Sequence, residues 1–298
     1  MPRSPVRYGA VEKMRFEYPV RFVCHVLRCS VSGYYSWRKA LRARPCPKDA
    51  GLRLAIVAAH QRTRQTYSAV RLHAELIADG VSTSLWKVKK LRRELGLRCK
   101  QQRKFVRTTD SRHNLPVAEN LVGRHFIRNK CNQVWVSDIT YIPTREGWLY
   151  LAGIKDVYSK EIVGFSLSER MDSNLVLCAL TRAMHIHRPP VGLILHSDRG
   201  SQYCSKLYQE RLKHYGMTCS MSRKGDCYDN APMESFWGLL KNELVHHKRY
   251  QTRREAVQDV TEYIEIFYNR QRRQAGLGYI SPVAFVQKQQ DLSTQMAA

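Results

Sequence analysis

The sequence predicts an α/β catalytic domain, a mixed sheet flanked by helices, preceded by a basic helical region that contains a helix-turn-helix. Three observations carry this. Beyond residue 130, three β-branched and aromatic runs follow one another, and then helix, strand, helix, strand and helix patterns alternate. Before residue 108 the apolar spacing is helical. The charge divides the same way: residues 1–110 carry a net +18 and residues 111–298 a net +7, of +25 in all.

Composition bounds the function. A chain of 298 residues allows two or three domains, and 43% apolar with 10% aromatic residues is enough to bury a core. Fifty Lys and Arg against 25 Asp and Glu point to a polyanion: DNA, RNA or an anionic membrane surface. No apolar run is long enough to cross a bilayer and no secretory signal is present, so a cytoplasmic protein with no membrane partner is expected. The nine cysteines are scattered without a C-x-x-C pair, which argues against a zinc module and for reduced thiols.

Residues 1–45 read as an N-terminal helical segment. In "YPVRFVCHVLRCSVSGYYSWR" (18–38), Val20, Val23, Val26 and Leu27 mark one helix and Ser32 is the expected cap of an aromatic second one. Such a unit either binds DNA or simply packs. "RARPCPKD" (42–49) reads as a linker. Residues 46–107 read as a helix-turn-helix domain with helices near 52–62, 68–78 and 84–95; Gly80 closes the second and Ser82 or Ser84 caps the third. In the third, Leu85, Val88, Leu91 and Leu95 share one face, while Lys87, Lys90 and Arg93 lie elsewhere. A solvated basic face is the plainer reading. Residues 83–107, however, hold ten Lys/Arg and one Glu, a density that repels itself without phosphates, so DNA contact by Lys87, Lys90 and Arg93 is expected.

Residues 108–130 read as a polar linker, 131–248 as the catalytic core and 249–298 as a C-terminal helical extension. In the core, strands are expected at 133–142, 147–159, 161–168, 191–198 and 217–222. Helices are expected at 173–187 with Ser173 as cap, at 205–215, and from Asn230, which is placed to cap the last. That order is the one used by the ribonuclease H-like fold. In the extension, Thr252 and Glu255 form a capping box for a helix near 253–268 with a stripe of Val257, Val260, Ile264 and Phe267. "NRQRRQ" touches phosphates or stays solvated, and Ser281-Pro282 opens a short last helix.

Three carboxylates stand out. Asp138 lies in a strand with apolar neighbours on both faces, and an ionised carboxylate there needs a cation or a metal. Asp198 ends an apolar strand, where ligands collect in α/β sheets. Glu234 lies on a helix whose Met233, Phe236 and Leu240 face the core, and Lys241, almost two turns on, shares its side. Singly, such an Asp is usually a turn residue and such a Glu is usually solvated. Together, on strand, strand end and helix, they suit magnesium or manganese: two such ions ~3.5–4 Å apart activate an attacking oxygen and stabilise the leaving one.

Smaller features have two readings each. Asp156 is a fourth metal ligand or, preferably, a turn residue with Ser159. His196 is a hydrogen-bonding support, and Gln202 a DNA or loop contact. Trp237 is a core aromatic in preference to a platform for an end base. The loop of Asp226, Tyr228, Asp229 and Asn230 orders on DNA or caps the helix.

Asp138, Asp198 and Glu234, with 35 residues between the last two and Lys241 seven beyond, resemble the DDE transposase and retroviral integrase superfamily. "VWVSDITYI", "HSDRGSQY", "GDCYDNAPMESFWGLLKNEL", "YNRQRRQAGLGYISP" and "VLRCSVSGYYSWR" narrow it: from about 18 to 287 the chain resembles the second-frame product of the bacterial insertion sequence three family. The resemblance implies a transposase that cleaves element ends and joins the 3′-hydroxyl to DNA, with Asp138, Asp198 and Glu234 as metal-binding triad and Lys241 as a contact to the DNA end. It implies double-stranded DNA, both transposon ends and target, as partner. It further implies a homo-oligomer on DNA, an upstream reading-frame product or fusion, and a nucleoid-associated place in the bacterial cytoplasm. "TYSAVRLHAEL" departs from the family's usual Gly and Arg after the Tyr, which puts that helix's DNA contacts in question; no triad position departs. The competing functions are a metal-dependent nuclease of the same fold that does not join strands, and a non-catalytic DNA-binding regulator.

Overall fold

The computed structural model describes residues 4–42, 49–100, 116–123, 126–223 and 227–297. The expected linker over 43–48, the basic run beyond residue 100, the linker over 108–115 and Asp226 fall outside the described residues.

The chain divides into two compact units, 1–58 and 59–298. In the first, α1 (Ser4–Met14), α2 (Val20–Val26) and α3 (Val31–Arg42) pack around Val11, Val23, Cys24 and Tyr34. Val26, expected on the buried face, is 60% exposed; a seven-residue helix has room for one buried edge only, and Val23 and Cys24 occupy it. The expected cap Ser32 lies inside α3, and Ser30 accepts the Gly33 N–H instead, because the helix begins two residues earlier than that cap would set it. The first unit ends within α4 (Ala50–Arg62).

In the second unit, α5 (Ala69–Ala78) and α6 (Leu85–Glu94) form the helix-turn-helix. Gly80, at φ +79°, allows a Schellman closure: its N–H reaches the Ile77 carbonyl and that of Val81 reaches Leu76. Ser84 caps α6 by accepting from the Lys87 N–H. Val88 and Leu91 are buried as the periodicity predicts.

The sheet runs β3-β2-β1-β4-β5. Strands β1 (Val134–Thr144), β2 (Gly147–Asp156) and β3 (Ile162–Ser168) are antiparallel; β4 (Ile194–Ser197) and β5 (Thr218–Met221) join β1 in parallel. This mixed sheet with helices on its faces is a ribonuclease H-like fold. On one face α7 (Ser173–His187), the short α8 (Ser201–Cys204) and α9 (Lys206–His214) cover Trp135, Ile154, Val163 and Leu195. Gly164 lets α7 approach: a Cβ there would sit 2.5 Å from the Ala179 carbonyl oxygen. The cap of α7 is Asp172, whose carboxylate accepts the Leu175 N–H; Ser173 is the first helical residue, not the cap.

On the other face lies α10 (Ala231–Glu243), followed by α11 (Arg253–Glu262), a π-helical continuation (Tyr263–Gln271) and α12 (Pro282–Ala297). Thr252 caps α11 by accepting from Glu255 N–H, while the Glu255 carboxylate accepts from Gln251, one residue outside the expected box. The last helix has 16 residues and is not short. Within "NRQRRQ" Arg270 is exposed, as the solvated reading expects, while the next two arginines are paired with carboxylates of the fold. Arg272 is fully buried with both carboxylate oxygens of Glu243, and Arg273 pairs with Glu75 of α5.

Candidate active site

The register of two strands places the first pair of carboxylates. β1 and β4 pair in parallel with Val134, Trp135 and Val136 opposite Ile194, Leu195 and His196, a constant offset of 60 residues. Carried two residues further, the same register sets Asp138 beside Asp198, on strands ~4.8 Å apart and on the same face. Asp198 is the first residue beyond β4, and its Oδ1 accepts the Gly200 N–H at 2.9 Å, which turns the chain away from the sheet. Asp138 accepts its own neighbour's N–H, Ile139, at 2.8 Å. Burial, then the charge of Asp198, push the Asp138 carboxyl up to about 8.

Helix α10 is fastened over this pair at several points. The Asn230 side-chain amide donates to the Ser137 carbonyl at 3.0 Å, so Asn230 pins the helix to β1 and does not cap it. The Lys155 amine donates to the Pro232 carbonyl at 2.9 Å from a 6% exposed position on β2, and burial, with Lys160 and Arg272 nearby, lowers it to about 7. Met233, Phe236 and Leu240 are fully buried. Trp237 is a core aromatic, as preferred, but its indole N–H also donates to Asp138 Oδ2 at 2.9 Å.

Glu234 stands on the exposed side of the first turns of α10, and desolvation raises its carboxyl. Among the described residues, no three His, Cys, Asp or Glu side chains are gathered closely enough to hold a metal ion. The parallel register carries Asp138 and Asp198 to the same edge of the sheet, and the charges of Asp198 and, less strongly, Glu234 both raise the Asp138 carboxyl. Lys241 is half-buried, its ammonium 4.9 Å from the centre of the Tyr141 ring on β1; desolvation lowers its pKa while Asp138 raises it. Gln202 makes a loop contact, donating to the Met171 carbonyl at 3.1 Å. Lys90 and Arg93 are exposed on α6 and Lys87 is half-buried.

The supporting residues behave as supports. Asp156 takes the N–H and hydroxyl of Ser159, and the N–H of Asn132, and so is a turn residue. His196 is buried between the hydroxyls of Ser220 and Ser222, and burial lowers it to about 4. Asp229 is fully buried and accepts from the Asn120 amide and the Arg223 N–H, which anchors the loop before α10. Sequence reasoning missed Gly153, Lys155 and the polar role of Trp237. A glycine in the middle of the β2 run was the available signal, because it marks a close approach.

Comparison with known proteins places this geometry. Integrase core domain models match residues 128–227 and 234–290, and an HTH-like domain model matches 47–105. Transposase InsF for insertion sequence IS3A of Escherichia coli (strain K12) is 40% identical over 286 residues, 95% of this chain and 99% of the relative. The chain belongs to the IS3 family of DNA transposases. Another relative, the insertion element IS600 uncharacterized 31 kDa protein of Shigella sonnei, is 54% identical over 266 residues, 89% of this chain and 98% of the relative. Among solved structures, the HTLV-2 integrase catalytic core domain in complex with magnesium covers 52% of this chain and 95% of its own at 16% identity and a TM-score of 0.41. A simian T-cell lymphotropic virus intasome chain covers 74% of each at 15% identity and a TM-score of 0.46. The HTH-like match precedes the integrase core matches along the chain. Among the described residues, no helix is long and apolar enough to cross a membrane.

Proposed function

We propose that this IS3-family transposase is a polynucleotidyl transferase that cleaves insertion-sequence ends and transfers the freed 3′-hydroxyl to DNA, with Asp138, Asp198 and Glu234 as the metal-binding triad. The observation that carries the reading is the parallel β1–β4 register, which sets Asp138 beside Asp198 under the helix that bears Glu234. The donor set fits a hard divalent cation, magnesium or manganese. Burial first, and the neighbouring Asp198 charge second, raise the cost of ionising Asp138, and a bound cation would offset that cost. When bound, two such ions supply charge neutralisation for an in-line displacement at phosphorus.

The chain's own residues bind and orient. Asp138 is held by the N–H groups of Ile139 and Trp237, and the Gly200 N–H reaches Asp198, so both carboxylates are oriented by the fold. Glu234, on the exposed side of α10, would supply the third carboxylate to a bound cation. Lys241 contacts the DNA end from its seat over Tyr141, and Lys87, Lys90 and Arg93 take phosphates at the helix-turn-helix; the Gln202 side chain, beside Asp198, takes a loop or DNA contact. The working form is a homo-oligomer on the bacterial nucleoid, completed by the upstream reading-frame product or its fusion. The domains divide as an N-terminal segment 1–45, helix-turn-helix 46–107, linker 108–130, core 131–248 and extension 249–298.

A strand-transfer assay with a pre-cut element end and Mg²⁺ tests this. Joined product supports the transposase mechanism, cutting alone would reassign the chain as a nuclease, and binding alone as a regulator. Efficient joining without any upstream product would remove that partner from the scheme.

A further inference from the structure

Residue Gly153 pairs directly with Asp138 across the β1–β2 ladder, on the same face of the sheet. A Cβ at position 153 would lie 2.8 Å from Trp237 Cη2 and 3.1 Å from Met233 Cε. The strand thus has a notch beside the carboxylate, and the six-membered ring of Trp237 fills it. From that seat the indole Nε1–H reaches Asp138 Oδ2 at 2.9 Å. Trp237 is 6% exposed, so little water competes for either group. It also lies three residues beyond Glu234, one helical turn along α10.

We infer that Trp237 is a positioning residue: seated in the Gly153 notch, its indole N–H fixes the direction of the Asp138 carboxylate and sets the distance between Asp138 and the helix that carries Glu234. This rests on the triad reading above. Packing alone does not explain the arrangement, because a phenylalanine fills a notch without donating a hydrogen bond. Of the two Asp138 oxygens, Oδ1 is turned to the Ile139 backbone and Oδ2 to the indole, so one tether belongs to the strand and the other to the helix. Carboxylates that bind metals depend on such outer partners for their orientation, and losing one costs about 10–100-fold in metal affinity or activity.

The test replaces Trp237 in the full chain in two ways. Trp237→Phe removes the donor and part of the ring. Site-specific 3-benzothienylalanine keeps the fused-ring shape and puts sulfur where the N–H was. Mn²⁺ binding is measured directly by titration, and strand transfer is resolved into kcat and KM for the element end. Both replacements are expected to weaken Mn²⁺ binding and lower kcat by about 10–100-fold, with KM for DNA and the melting temperature of the benzothienyl chain unchanged. If the benzothienyl chain binds Mn²⁺ and joins DNA like the unaltered one, the inference is overturned, whatever Trp237→Phe does. An Asp138→Asn control separates the two levels. Retained Mn²⁺ binding and joining in that control would sink the triad reading itself, whereas their loss beside a normal benzothienyl chain would sink only the role of Trp237.

Discussion

Asp138 is ionised at a cost, and that cost has a sign that can be measured. Its carboxyl is pushed up to about 8 in the fold, by burial first and by Asp198 second, from the ordinary aspartate range. The folded chain therefore holds this proton more tightly than the unfolded chain. The associated stability is complete at pH below the unfolded value and is lost as pH rises through about 8. In metal-free buffer the melting temperature should fall between about pH 6 and pH 8, and added Mn²⁺ should recover more of it at the higher pH. Asp138→Asn should flatten both effects in a thermal-shift series; an unchanged pH profile in that variant would show that Asp138 is not the titrating group. Asp198→Asn should abolish cutting and joining while leaving DNA binding within about twofold, since it removes a metal ligand and touches no helix-turn-helix residue. Gel shift and strand transfer on one preparation decide this, and normal joining would count against the mechanism.

Helix α10 shows how an element is placed by contacts its own sequence does not advertise. Its start is pinned by Asn230 and Lys155, its middle by Trp237, and its end by Glu243. Glu243 receives Arg272 at 2.6 Å and 2.9 Å and the Tyr263 hydroxyl at 2.8 Å, in surroundings closed to solvent. Cutting one partner strands a buried charge, so Glu243→Ala should cost about 3–5 kcal/mol in denaturant unfolding, while a paired Glu243→Leu, Arg272→Met chain should lose far less. Equal losses in both would show that ordinary packing accounts for the effect. The apolar stripe of α10 was legible at Met233, Phe236 and Leu240, because helical period and burial coincide there. The pairing within the basic run "NRQRRQ" was not legible: charge alone suggests solvent or phosphate, and the partners that neutralise Arg272 and Arg273 lie 29 and 198 residues away.

At the scale of the whole molecule the net charge of +25 governs association with DNA. Each phosphate neutralised contributes a slope of about −0.9 to log affinity against log salt. Replacing Lys87, Lys90 and Arg93 together by alanine should therefore make that slope shallower by roughly 3, with strand-transfer chemistry on saturating DNA little changed. A slope unaltered within error would move the DNA contact off α6. Within residues 59–298 the helix-turn-helix is also tied to the C-terminal extension. Arg273 pairs with Glu75, Arg64 with Glu262 at 2.6 Å, and the Tyr67 hydroxyl accepts the Arg273 N–H at 2.7 Å. None of these ties could be read from local patterns.

The chain by itself determined the order of its strands and helices, the basic front region and the spacing of Asp138, Asp198 and Glu234, because periodicity, charge and spacing are properties of neighbours along the backbone. Only the tertiary structure decided that the charges of Asp198 and Glu234 reach Asp138, that Gly153 makes room for Trp237, and that Arg272 is buried. Those outcomes depend on strand register and on close approach between elements, and both are settled by which faces exclude water together rather than by any residue's own preference.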